Sequence, residues 1–267
     1  MGKLDFTKMV GVGNDFIILD CRSSLVIRGS LSRIARLLCN RKNGIGADGM
    51  LVLEKSKIAD FRMSVFNADG SVAEMCGNGL RCAVLFAGVK SKVRVETKAG
   101  IYEGEVTGKD KVRVKMQEPK DLKFDFPINV NGRKLKVNFI NTGVPHTVVF
   151  VDGLDKIDID RIGSLMRYHD EFKPKGANVD FVEIMDDNNI KMRTYERGVE
   201  GETSACGTGA VASGIISRMK GAGCEIKVNV HTLGGILKVE FQNIDNKIKN
   251  VYLEGEAKMV FQGGIYV

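Results

Sequence analysis

The chain carries one short signal twice. Met75-Cys76-Gly77-Asn78-Gly79 and Ala205-Cys206-Gly207-Thr208-Gly209 each set a cysteine directly before a Gly-x-Gly turn and an apolar run of helical character. The two cysteines stand 130 residues apart, and the same offset relates Gly13 to Gly143 and the pair Gly46-Ala47 to Gly176-Ala177. The alternating segment Phe61 to Asn67 is echoed by Ile190 to Glu196, one residue out of phase with that offset. Self-similarity at a fixed spacing constrains architecture before any single motif does, because each copy must build the same supersecondary unit. The chain therefore reads as two like halves, and 267 residues with 43% hydrophobic content suffice for two cores.

Periodicity gives the order of elements within each half. In the first, Phe6 to Asp20 reads as two strands around the Gly11-Val12-Gly13-Asn14 turn. Leu31 to Asn40 reads as a helix capped by Ser30, Met50 to Glu54 as a buried strand, and Phe61 to Phe66 as an alternating one. After the Cys76 helix come strands from Val93 to Thr97, Ile101 to Val106 and Lys111 to Met116. The second half repeats the order. It has a helix near Ile159 to Tyr168, a buried strand from Asp180 to Met185, and a helix from Cys206. Strands follow from Ile226 to Val230, Ile236 to Phe241 and Lys249 to Glu254. Strands outnumber helices, which predicts the α+β class, each half a curled sheet around its one strongly apolar helix. Glu118-Pro119 places the boundary, giving halves of residues 1–118 and 119–256.

Composition excludes several classes. The net charge of +7 is scattered among acids and lacks the basic stripe that nucleic acid requires. No apolar run approaches the roughly 20 residues of a membrane span, and the first residues lack a signal-peptide core, so a cytoplasmic protein is expected. Cysteines 21, 39, 76, 82, 206 and 224 show no Cys-x-x-Cys spacing, and His146, His169 and His231 are far apart. That pattern fits reduced thiols and no zinc site. Gly44 to Gly49 spells a literal G-x-G-x-x-G. It follows a helix and opens a strand, the reverse of a dinucleotide-binding turn, and is read as a plain turn.

Cys21, Cys39, Cys82 and Cys224 lie in apolar patterns and read as small core residues. Cys76 and Cys206 differ, since each stands at a strand-loop-helix junction among glycines, exposed to ligand. Partial positive charge on the first N–H groups of a helix favours an anion and favours thiolate over thiol. Two such thiols related by a pseudo-twofold axis suit inversion of a carbon beside a carboxylate. One sulfur removes the proton from one face while the other delivers a proton to the opposite face. The helix ends stabilise the charge that develops on the carboxylate oxygens.

Here the resemblance to a known family becomes specific. Gly13-Asn14-Asp15-Phe16, Gly44 to Gly49, Asn67-Ala68-Asp69-Gly70, Met75 to Cys82, Glu196-Arg197-Gly198 and Glu202 to Ala210 resemble diaminopimelate epimerases, in order and over nearly the whole chain. The resemblance implies a homodimeric isomerase without a cofactor, interconverting LL- and meso-2,6-diaminopimelate in lysine and peptidoglycan precursor biosynthesis. It implies a site in the cleft between two pseudo-symmetric halves, each a mixed or antiparallel sheet wrapped around a central helix. It further implies that residues 257–267 return to the first half.

Carried over by residue, Cys76 and Cys206 are the acid and base, and Gly77-Asn78 with Gly207-Thr208 cradle the reacting carboxylate. Asn14, Asn67, Asn178 and Arg197 hold the substrate, chiefly its distal end, where the planar guanidinium suits a carboxylate. Glu196 meets the reacting amine and, with His146, tunes the thiols. Gly49 and Val144 stand where many members carry glutamine and asparagine, with Asn141 a candidate to compensate. A proline or hydroxyproline racemase shares the paired cysteines, but Asn67 and Glu196-Arg197 favour diaminopimelate. A redox switch or a non-catalytic amino-acid binder is the alternative from a different class, and loss of turnover in Cys76→Ser discriminates against both.

Overall fold

The computed structural model describes residues 3–23, 30–89, 92–219, 225–245 and 247–266. They fall into two compact units, Met1–Val114 with Gly255–Val267, and Lys115–Glu254. The α+β class expected from the sequence is the class observed.

The first unit runs β1 (Lys3–Gly11), β2 (Asn14–Asp20), α1 (Leu31–Cys39), β3 (Gly49–Glu54), β4 (Phe61–Asn67), β5 (Val72–Ala73), α2 (Gly77–Ala87), β6 (Val93–Thr97), β7 (Gly100–Gly108) and β8 (Lys111–Lys115). β1 and β2 form a hairpin whose two turn residues, Val12 and Gly13, both have positive φ, 41° and 88°. That is the turn whose twist matches paired strands. β2 and β3 are parallel, β3 and β4 antiparallel, β4 and β6 parallel, and β6 and β7 antiparallel. The C-terminal strand β18 (Lys258–Tyr266) pairs with the other edge of β1, from Lys3 opposite Tyr266 to Val10 opposite Lys258.

The second unit runs β9 (Lys120–Val130), β10 (Arg133–Asn141), β11 (Pro145–Phe150), α3 (Ile159–Arg167), β12 (Asn178–Ile184), β13 (Asn189–Glu196), β14 (Gly201–Thr203), α4 (Gly207–Arg218), β15 (Glu225–Thr232), β16 (Gly235–Ile244) and β17 (Lys247–Glu256). Its pairings repeat those of the first. β11 and β12 are parallel, β12 and β13 antiparallel, β13 and β15 parallel, and β15 and β16 antiparallel. β9 pairs with β10 as β18 pairs with β1. Strands β9 to β11 are not among the expected elements, although apolar residues alternate along β9 and β10.

A central helix organises each unit. α2 packs on β1, β2, β3, β4, β7 and β18, and is buried from Asn78 to Val84. α4 packs on strands β10 to β13, β15 and β16, and is buried from Gly209 to Ile216. A helix apolar on every side belongs in such a place. The strands that touch it read as continuous apolar runs, Phe16-Ile17-Ile18-Leu19 and Met50-Leu51-Val52-Leu53, since α1 covers their opposite face through Ile34, Ala35 and Leu38. The first turn of α1 differs from expectation. Ser30 is its N-cap in extended backbone, but the Ser30 side chain makes no cap hydrogen bond. At the start of α3 Asp158 does cap, accepting from the Arg161 N–H at 3.2 Å. Gly44 to Gly49 is a turn between α1 and β3, the N–H groups of residues 44–48 spent on carbonyls of Leu38, Cys39, Asn40 and Asp15. Among the described residues, no helix is long and apolar enough to cross a membrane.

Candidate active site

Each cysteine is the N-cap of its unit's central helix, in extended backbone, with φ −140° at Cys76 and −114° at Cys206. At the first, Cys76 Sγ accepts the Gly79 N–H at 3.4 Å, and its carbonyl accepts the Leu80 N–H. A side chain at Gly77 would meet nothing within 4 Å, so the backbone here faces open space. Asn78 lies in the first turn, 4% exposed, donating from Nδ2 to Asn14 Oδ1 at 2.6 Å. Asn14 in turn donates to Asp48 at 3.1 Å. Asn67, exposed at the end of β4, donates to Ser71 Oγ. Gly49 pairs opposite Asn67, and a Cβ there would come within 2.9 Å of the Phe66 carbonyl oxygen. A glutamine at this position would have to displace backbone.

At the second helix start the residues form a connected chain. Asp180 and His146 are fully buried, with His146 Nδ1 2.8 Å from Asp180 Oδ2. A carboxylate only accepts, so Nδ1 carries the proton and Nε2 is left as an acceptor. Nε2 lies 2.9 Å from Thr208 Oγ1, which lies 3.5 Å from Cys206 Sγ. Thr194 donates to the other Asp180 oxygen at 2.9 Å, and Thr142 donates to the Thr208 carbonyl. Asn178 sits beside them, 5% exposed, donating to the Pro145 carbonyl and accepting the Arg197 N–H at 2.8 Å. Glu196, at the end of β13, accepts from Thr203 Oγ1 at 2.6 Å. Val144 stands half-buried in the β10–β11 turn, where Asn141 Oδ1 accepts the Gly143 N–H.

The structure corrects one expectation. Cys206 is 6% exposed, a thiol held almost out of solvent. Burial, then the Glu196 and Asp180 carboxylates, push that thiol well above its ordinary value, outweighing the hydrogen bonds from Thr208 and the Gly209 N–H. The helix end alone does not make it a thiolate. Burial likewise raises the Glu196 carboxyl. Of the other cysteines, Cys39 and Cys82 are buried and Cys21 partly so; Cys224 lies outside the described residues.

Asp180 and Thr194 are polar residues at the second helix start that the motifs do not mark, and Arg81 lies within the Met75 to Cys82 motif without an assigned role. A signal exists for two of them: a carboxylate in the apolar run Val179-Asp180-Phe181-Val182, and a guanidinium in the apolar run of α2.

The family model described as diaminopimelate epimerase matches residues 6–122 and 138–260. A diaminopimelate epimerase of Aquifex aeolicus is 44% identical, covering 97% of this chain and 97% of its own. That of Methanocella arvoryzae is 42% identical over 100% and 98%. Among solved structures, a phenazine biosynthesis protein of the PhzF family from Bacillus anthracis superposes with a TM-score of 0.77 at 18% identity, covering 100% of both chains. A probable proline racemase from Agrobacterium radiobacter gives 0.71 at 16%, covering 99% of this chain and 93% of that one. These structural likenesses speak for the fold alone.

Proposed function

The chain belongs to the diaminopimelate epimerase family, and from that premise we propose that Cys76 and Cys206 work as a two-base pair on opposite faces of one substrate carbon. The protein is an isomerase that interconverts LL- and meso-2,6-diaminopimelate. In one direction the Cys76 thiolate takes the α-proton and the Cys206 thiol gives its proton to the other face, leaving Cys76 as thiol and Cys206 as thiolate. The reverse reaction restores the first state. The observation that carries this reading is the repeated N-cap cysteine at the start of each buried central helix.

Backbone N–H groups at Gly77-Asn78 and Gly207-Thr208 receive the α-carboxylate, where charge builds as the C–H bond breaks. Asn14, Asn67, Asn178 and Arg197 hold the substrate and Glu196 meets its reacting amine. His146, held by Asp180, tunes the Cys206 thiol with Glu196, reaching it through the Thr208 hydroxyl that lies between them. The same reading includes a cytoplasmic homodimer. Its chemistry needs reduced thiols, and Met259, Val260, Phe261 and Tyr266 of β18 are apolar and exposed.

The test is assay of the purified protein on LL-diaminopimelate against L-proline, repeated in deuterated water. Turnover of the first alone is expected, with early product carrying solvent deuterium and residual substrate none. Equal early labelling of both pools would mean one base and sink the pair. Sedimentation equilibrium reads the dimer.

A further inference from the structure

The two helix starts hold opposite charges beneath them. Asp180 lies under the first turn of α4, where a Cβ on Gly209 would come 2.5 Å from its Oδ1. The matching neighbour of Gly79 in the first unit is Leu51, 3.0 Å from a Cβ there. Register makes the two equivalent, since Leu51 pairs with Ile18 and Val65, and Asp180 with Val148 and Thr194. Conversely, the residue five past each cysteine is Arg81 in the first unit and Val211 in the second. The repeat has a buried anion on one side and a buried cation on the other.

Arg81 is fully buried, and its Nη2 donates to Asn78 Oδ1 at 2.6 Å. Helical side chains lean towards the N-terminus, and this contact places the guanidinium under the Cys76 turn. Its Nε and Nη1 have no hydrogen-bond partner among the described residues. A buried cation of this kind needs an anion. Lys8, Asp15, Arg62 and Glu105, on strands packed against α2, belong to ion pairs of their own. The charges that act on Arg81 are those of Cys82 and Cys76. Burial pushes the Cys82 thiol up to about 12, so it stays neutral, and Cys76, the N-cap of the same helix turn, is the other acidic group beside Arg81. Burial also pulls Arg81 down to about 10, which still keeps it charged at neutral pH.

We infer that Arg81 is a positioning residue that supports the thiolate of Cys76 and aims Asn78, so that the resting pair holds Cys76 as base and Cys206 as acid. The inference rests on the two-thiol reading and specifies which member carries the charge.

Cysteine labelled with carbon-13 at Cβ reports each thiol's ionisation by NMR across a pH series. In the parent, Cys76 ionises at lower pH than Cys206. Arg81→Gln keeps a donor for Asn78 but removes the charge. It raises the Cys76 midpoint by about one unit or more, moves the acid limb of kcat/KM by the same amount, and leaves Cys206 where it was. Arg81→Lys restores both. Arg81→Met gives the same comparison if the glutamine variant does not fold. An unmoved Cys76 midpoint in the neutral variants, or Cys206 ionising first in the parent, overturns the inference. The titration needs no substrate, so turnover with Cys206 ionising first would reject Arg81's role and spare the epimerase reading. Absence of turnover with the expected order would do the opposite.

Discussion

At the scale of the residue, motif and environment carry different information. The repeat singles out Cys76 and Cys206, but nothing in a Cys-Gly-x-Gly string tells that Cys206 is enclosed by carboxylates. Those neighbours come from β12 and β13, distant in sequence, and only folding brings them together. Asp180→Asn keeps the shape of the buried chain yet removes the carboxylate that orients the His146 ring. It should lower kcat by about 10²-fold and slow deuterium wash-in, read on both diastereomers, with little change in KM. A second expectation concerns Asp15. Burial alone would raise its carboxyl, but hydrogen bonds from Arg41 and Lys8 outweigh that and hold it well below the usual range. A depressed carboxyl contributes stability above its unfolded value of about 3.9, and loses that contribution as pH falls towards the folded value. Asp15→Asn should therefore flatten the loss of stability below about pH 4, measured by urea unfolding at pH 7 and pH 3.

Elements were legible wherever pattern and burial agree. Helix α2 is buried and, apart from Asn78 and Arg81, apolar all round, and β3 is an unbroken apolar run covered on both faces. The ends were less legible. Ser30 looks like a capping residue, yet its side chain caps nothing, because an N-cap type fixes a preference and not a contact. Strands β9 and β10 do alternate, with Leu122, Phe124, Phe126, Ile128 and Val130 at alternate positions of β9, so that signal is in the sequence, whereas β11 is a short and mostly buried run. Two substitutions probe the central helices. Leu80 is fully buried, and Leu80→Ala should cost about 2–5 kcal/mol of stability in urea titration. Gly209→Ala drives a methyl against Asp180, with 2.5 Å between the new Cβ and Oδ1. Activity should fall sharply at a modest stability cost, since the displaced carboxylate no longer holds His146.

Across the whole molecule, the repeat fixes that there are two similar units, and the pairings confirm one strand exchanged in order. β9 precedes its unit's hairpin in sequence, whereas β18, its counterpart, follows everything else and returns to β1. Symmetric spacing cannot reveal this, because β18 has no motif and no partner within reach of local pattern. Removing residues 257–267 should leave β1 with a bare edge and lower the unfolding midpoint, with differential scanning calorimetry as the measurement. The pairing of Lys3 with Tyr266 has a consequence for how the polypeptide can be cut. Its two ends run side by side, so a short linker can join them and a new start can be opened at the exposed Glu256, just before β18. Such a circular permutant makes the first unit a continuous segment. Expressed as two separate pieces, the units then become candidates for fragment complementation, with neither piece needing to borrow a strand from the other.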